Sequence, residues 1–158
     1  MLGHSNIMKT AHEIEIEHGL PAGSVTIITE GGITRIDYGD TLAGRKAAKL
    51  QELAAARYAE ETGGITLNGS PLATGRGDQA MLNGAWVFAQ ANPSAVIRWK
   101  GPTGWVDLTA AQVAGIASAV GAHVQACFAR EGELAEMVKA ADTVEEVEAI
   151  EWSFPAPE

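Results

Sequence analysis

The longest run of helical periodicity in the chain extends from Leu108 to Val138. Apolar residues in this run recur at gaps of three or four, which places them on one face of an α-helix. Thr109 and Gln112 have the spacing of a capping box, in which each side chain bonds a free backbone N–H of the first turn. We therefore predict a long amphipathic helix, weakened near Gly132, that organises the rest of the domain. Its predicted core residues are Val113, Ile116, Val120, His123, Val124, Cys127 and Phe128.

The first 40 residues have a different pattern. Residues 12–18 read H-E-I-E-I-E-H, and this alternation predicts a strand with Ile14 and Ile16 on one face. A helix through Ile7, Ala11 and Ile14 is the alternative interpretation. Gly31-Gly32 separates two apolar runs and predicts a β-hairpin, because both glycines can take positive φ. Two or three strands are marginal in water, so this β-rich arm needs another surface, and Ile14 and Ile16 are candidate interaction residues.

The middle of the chain alternates helices and tight hairpins. A helix is predicted from residue 40 or 41 to Thr62, and another from an N-cap at Asp78 to about Ala91. Hairpins are predicted over residues 65–74, around Asn68-Gly69, and over residues 95–108. Thr143 and Glu146 repeat the capping-box spacing and open a last short helix.

Together these elements predict an α+β fold in which antiparallel β-hairpins pack with a long C-terminal amphipathic helix and shorter helices. The predicted organisation is an N-terminal arm over residues 1–40, a domain over residues 41–152 and a tail over residues 153–158.

Composition excludes several classes of partner. The formal net charge is −9, with 20 acidic residues against 11 lysines and arginines. Nucleic acids and anionic membranes both need a basic face, so neither is expected as a partner. A single cysteine cannot form an intramolecular disulfide. The chain has no recognisable secretory signal and no apolar run of membrane-spanning length, so we expect it in the cytoplasm.

The motif search predicts no catalytic, metal-binding or cofactor-binding residues. Residues 75–80 match G-x-G-x-x-A, but no buried parallel strand precedes them and no suitably placed acid follows. His123 and Cys127 lie four residues apart, a spacing that could hold a metal or form a thiolate pair. No third ligand and no orienting acid accompanies them. We therefore predict a buried, hydrogen-bonded histidine and an inert thiol, and keep an enzyme or metal protein using this pair as a third alternative.

Two tryptophans mark the second hairpin. Trp99 and Trp105 are predicted to face each other across its turn. Core packing is the favoured use, whereas an exposed aromatic pair would be an interface hot spot, so both are also candidate interaction residues.

The second half of the chain, about residues 42–152, resembles a domain of unknown function that recurs in tailed bacteriophages and prophages, often encoded near tail-fibre genes. The order and spacing of several short motifs carry this resemblance. They are Arg45-Lys46, residues 64–69 (GITLNG), Asp78, residues 97–99 (IRW), residues 108–112 (LTAAQ), residues 122–128 (AHVQACF) and residues 140–150 (AADTVEEVEAI).

The resemblance implies a phage or prophage tail accessory protein without catalytic residues. The leading expectation is a chaperone-like binder that acts in tail-fibre assembly or attachment, with a tail-fibre or other tail protein as its partner. The alternative is a structural particle component that forms a homo-oligomer. The protein would then be found in the cytoplasm of the bacterial host or in the virion.

Overall fold

A computed structural model describes residues 8–154 of the chain. The described residues form five helices and three two-stranded antiparallel sheets, which confirms the predicted α+β class. No described helix is both long and apolar enough to cross a bilayer. In chain order the elements are α1 (Ala11–His18), β1 (Thr26–Glu30), β2 (Ile33–Asp37), α2 (Leu42–Thr62), β3 (Ile65–Leu67), β4 (Ser70–Leu72), α3 (Arg76–Ala91), β5 (Ile97–Gly101), β6 (Gly104–Leu108), α4 (Ala110–Ala140) and α5 (Val144–Glu148).

Contacts group the chain into two compact units. Of the described residues, the first unit comprises 8–53 and 134–151, and the second comprises 54–133 and 152–154. The division into an arm over residues 1–40, a domain over residues 41–152 and a tail stays a prediction.

The strand predicted over residues 12–18 is wrong, because these residues form helix α1. The Thr10 hydroxyl accepts the Glu13 N–H at 3.2 Å, and the Glu13 carboxylate accepts the Thr10 N–H at 2.7 Å. Gly19 ends the helix in the left-handed conformation at φ 64°. Two good caps thus outweigh the alternating pattern. As a result Ile14 is buried and Ile16 is 68% exposed, so they do not share a face.

The first unit has its own apolar core. Glu15 lies at its edge, where its carboxylate accepts the backbone N–H of Val25 at 3.0 Å and joins α1 to the chain before β1. This hydrogen bond lowers the pKa of Glu15. Gly44 lets α2 approach the preceding loop, since a Cβ there would overlap the carbonyl oxygen of Tyr38. The buried core residues are Ile14, Leu20, Val25, Tyr38 and Ala47.

The first two hairpins form at the glycine turns that the sequence indicates. Gly31 and Gly32 have φ of 58° and 80°, and Asn68 and Gly69 have φ of 50° and 79°. Positive φ at both central residues is typical of the type I′ turn, which favours these residue types. Strand β4 occupies residues 70–72. The second hairpin therefore spans residues 65–72 and ends two residues earlier than predicted.

Helix α3 begins earlier than predicted. Gly75 is its N-cap residue, and Asp78 is the third residue of the helix. The Asp78 carboxylate accepts the Gly75 N–H at 3.1 Å. Asp78 therefore caps the helix from the N3 position rather than from the N-cap, which is the returning half of a capping box. The inner face of the helix contributes Ala89 to a small core that also contains Ile97 and Val113.

The third hairpin separates the two tryptophans. Trp99 pairs with Val106, and Trp105 pairs with Lys100. Because directly opposite residues share a face and neighbours alternate, Trp99 and Trp105 lie on opposite faces. The prediction that the two tryptophans face each other is therefore wrong, because it requires a strand register shifted by one residue. Trp99 is half-buried, and Trp105 is 61% exposed.

Helix α4 runs without a break through Gly132, contrary to the predicted weakness. A glycine costs only about 1 kcal/mol in a helix interior, and helix-favouring neighbours surround this one. The reciprocal hydrogen bonds of Thr109 and Gln112 form at its start, as predicted. Buried residues recur every seven positions from Val113 to Leu134, so the buried stripe in this part of the helix is narrower than the apolar pattern indicates. The buried residues of α4 are Val113, Val120, Cys127, Leu134 and Val138.

Candidate functional site

The His123–Cys127 pair lies in the second unit, on adjacent turns of α4. The Nε2 atom of His123 is 3.0 Å from the carbonyl oxygen of Glu60 and 3.9 Å from the Cys127 sulfur. A carbonyl can only accept, so this contact requires that Nε2 carry the proton and donate it. The nitrogen nearest the sulfur then has no free lone pair with which to deprotonate it. The pair is therefore arranged as a structural contact rather than as a nucleophile and its base.

The surroundings of Cys127 also disfavour a thiolate. Its side chain is fully buried, and burial raises its pKa, with the charges of Glu60 and Glu61 raising it further. Within residues 8–154 no group of three or more His, Cys, Asp or Glu side chains is placed to hold a metal ion. His123 itself is half-buried.

We expect Cys127 to resist alkylation in the folded protein. A buried thiol with a raised pKa offers little thiolate to an alkylating reagent. The rate of alkylation by iodoacetamide at mildly alkaline pH, followed by mass spectrometry and compared with and without denaturant, measures this. Labelling of the native protein as fast as that of the unfolded chain would contradict the assignment and revive the enzyme alternative.

A buried carboxylate belongs to the residue that follows Glu60, whose backbone carbonyl contacts His123. Glu61 is 1% exposed and accepts from Arg57, from both ends of the Arg76 guanidinium and from Gln79. Burial alone would raise its pKa, but hydrogen bonds from Gln79, Arg57 and Arg76 together lower it. Arg57 also binds Glu131 at 2.7 Å and lies 4.4 Å from the centre of the Phe128 ring.

This network holds three elements of the second unit together. The Thr74 hydroxyl, fully buried, donates to the Glu61 carbonyl at 2.6 Å and accepts the Gly64 N–H at 2.9 Å. No buried side-chain nitrogen or oxygen of the described residues lacks a hydrogen-bond partner, and those of the cluster are included. The network is thus a structural hub that joins α2, the β3–β4 hairpin and α3.

The predicted core residues of α4 divide into three groups. Val113, Val120 and Cys127 are buried, whereas Ile116, His123 and Val124 are half-buried. Phe128 is 43% exposed, contrary to its predicted place in the core, because the seven-residue spacing of the buried stripe passes through Cys127 instead. Arg57 covers part of its ring, which explains why an aromatic side chain is tolerated there.

The four candidate interaction residues are divided between the two units. Ile14 belongs to the core of the first unit, and Ile16 is exposed on the same helix. In the second unit, Trp99 lines a cleft of about 420 Å³ together with Pro71 and Ile116. Trp105 is on the other face of its hairpin, with the Lys100 ammonium 5.6 Å from its ring centre.

The sequence analysis did not predict two exposed features, the strand β2 and an apolar face of α3. Every residue of β2 is exposed, with Ile33 74% and Ile36 40% exposed. In the second unit, helix α3 exposes Met81, Val87 and Phe88 at 70%, 54% and 52%. The sequence does indicate the exposed face of α3, because no charged residue occurs between Asp78 and Arg98 and apolar residues occupy two opposite sides of the helix.

Comparison with known proteins yields one match. The model of a family described as a domain of unknown function, DUF4376, matches residues 44–151. No curated protein and no solved structure is significantly similar to the chain.

Proposed function

We propose that this chain, which belongs to the DUF4376 family, is a non-catalytic phage or prophage tail accessory protein that binds a tail-fibre protein during fibre assembly or attachment. The phage context derives from the sequence resemblance described above. The binding mode derives from the molecule itself, and one observation carries it: strand β2 is exposed along its whole length and carries two exposed isoleucines.

The β1–β2 hairpin is suited to strand addition. Among the described residues its sheet has only two strands, so the outer edge of β2 has no backbone partner. Such an edge accepts an extended segment through main-chain hydrogen bonds, while side-chain contacts supply specificity. Unassembled fibre chains expose strand edges that are prone to aggregate, and a small acidic protein could cover them until the fibre forms.

The register identifies the backbone groups that would pair. A two-residue turn makes Glu30 and Ile33 a hydrogen-bonded pair, so the next pair, Thr29 and Thr34, is not hydrogen-bonded through the backbone. The two threonine hydroxyls lie 3.0 Å apart, which is consistent with the closer side chains of such a pair. The N–H groups of Thr34 and Ile36 therefore point away from β1.

We expect Thr34→Pro to weaken fibre binding at least tenfold. Proline removes the outward N–H without removing a bond to β1, and it is tolerated at such edge positions. The measurement is a titration of the full-length variant against the tail-fibre protein encoded by the same phage or prophage. Thr34→Val is the matched control, because it loses the same hydroxyl contact but keeps the N–H. Equal affinity of the proline and valine variants would contradict strand addition at β2.

Fractionation of an induced lysate tests the wider proposal. Recovery in the soluble pool, bound to unassembled fibre protein, is the expected result. Co-migration with complete particles would instead support the structural component. Recovery of the protein free of both fibre protein and particles would overturn both the assembly-factor proposal and the structural alternative.

A further inference from the structure

Helix α3 has an apolar outer face. At about 100° per residue, seven residues fall within roughly one third of its circumference, and every one of them is apolar or glycine. They are Gly77, Ala80, Met81, Gly84, Val87, Phe88 and Ala91, and all are exposed. The opposite side, with Leu82 and Ala89, is already buried in the core of the second unit.

A helix with apolar residues on two opposite sides needs a surface to pack against on each of them. The polar residues of α3 lie outside the outer face. Gln79, Asn83 and Gln90 fall on one side of it together with Arg76, and Asp78 falls on the other side. Val96, 68% exposed, adds a further apolar side chain shortly after the helix. An exposed apolar surface of this kind marks an interaction site in a soluble protein.

The distribution of charge indicates which partner fits. Residues 79–129 contain only three charged side chains, Arg98, Lys100 and Asp107, and have a formal net charge of +1. The rest of the chain therefore has a net charge of −10. Two copies would repel each other through most of their surface, whereas the outer face of α3 brings no like charges together.

We propose that the outer face of α3 is a self-association surface, on which a second copy of this chain binds in a symmetric dimer. In such an interface the same patch serves both copies, so an uncharged apolar surface is complementary to itself. Gly84 lies in the middle of the face, and a Cβ there would meet no atom within 4 Å. A glycine weakens a helix, and nothing in the described surroundings of Gly84 requires one. Close approach of a second helix would require a residue without a side chain at this position.

Light scattering coupled to size-exclusion chromatography tests the proposal with the full chain. We expect the wild type to have twice the chain mass of 16.5 kDa at micromolar concentration. Met81→Glu should weaken the dimer at least tenfold, because it buries an unpaired carboxylate in the interface. Val87→Lys should do the same with the opposite charge.

Met137→Glu is the matched control. It makes the same substitution at a 52% exposed methionine of α4, in the first unit, and should leave the dimer intact. Raising the salt concentration should leave the affinity unchanged or increase it, because the acidic surfaces outside the interface repel each other less.

Three results would overturn the proposal. The first is a wild type that stays monomeric at high micromolar concentration, which would leave a fibre protein or a terminal segment of the chain to cover α3. The second is a dimer that Met81→Glu and Val87→Lys both leave unchanged while their melting curves show folded protein. The third is a dimer that salt dissociates. The outcome does not depend on the fibre-binding proposal, whose test variant lies in β2.

Discussion

Replacing Glu61 with alanine is expected to lower the free energy of unfolding by about 3 kcal/mol, the lower end of what breaking a buried ion pair costs. The carboxylate is 1% exposed and accepts from two guanidinium groups and an amide. Its removal leaves Arg57, whose side chain is only 13% exposed, with Glu131 as its remaining carboxylate partner. The cost stays at the lower end because the Arg76 side chain is 54% exposed and can be hydrated instead. Chemical denaturation of the variant and the wild type measures the difference.

Glu60→Gln is the control for this change, because Glu60 is the adjacent residue and its side chain is exposed. It contacts His123 only through its backbone carbonyl, so the substitution should change stability by less than about 0.5 kcal/mol. A cost for Glu61→Ala no larger than that of the control would show that the network does not stabilise the fold.

The same carboxylate should make part of the stability depend on pH. Its hydrogen bonds lower the pKa of Glu61 in the folded protein below the ordinary value of 4.5. Its contribution is therefore fully present above that value and is lost as the pH falls toward the lowered folded-state pKa. We expect the wild type to lose more stability than Glu61→Gln between about pH 5 and pH 3. Parallel curves for the two proteins would contradict the lowered pKa.

Local signals in the sequence predicted most of the elements. Caps and tight turns depend on a few adjacent residues, so the capping box at Thr109 and the turns at Gly31-Gly32 and Asn68-Gly69 could be identified without tertiary information. Helix α1 shows the limit of such signals. Its alternating isoleucines favour a strand. The Thr10–Glu13 capping box is an equally local signal, and it favours the helix that forms.

The long-range features could not be predicted in the same way. Glu61 contacts Arg76 and Gln79 across 15 and 18 residues, and nothing in the sequence distinguishes it from the exposed Glu60. Register was equally inaccessible, since a shift of one residue decides whether Trp99 faces Val106 or Trp105. The width of the buried stripe on α4 depends on which elements pack against the helix, and the sequence does not show this. Phe128 was therefore predicted in the core, although it is 43% exposed.

Replacing Leu53 with alanine is expected to cost about 2–5 kcal/mol, the range found when a buried leucine is truncated. Leu53 lies in α2, is 1% exposed and is among the largest fully buried side chains of the described residues. The loss combines the transfer free energy of the removed methyl groups with the cavity that they leave. Thermal or chemical unfolding, followed by circular dichroism, measures it.

Leu50→Ala on the same helix separates burial from helix propensity. Both substitutions exchange leucine for alanine within α2, so their effects on propensity are alike. Leu50 is only half-buried, and its truncation removes less apolar surface from the interior. We therefore expect Leu53→Ala to be the more destabilising by at least about 1 kcal/mol. Equal costs at the two positions would contradict the difference in burial between Leu50 and Leu53.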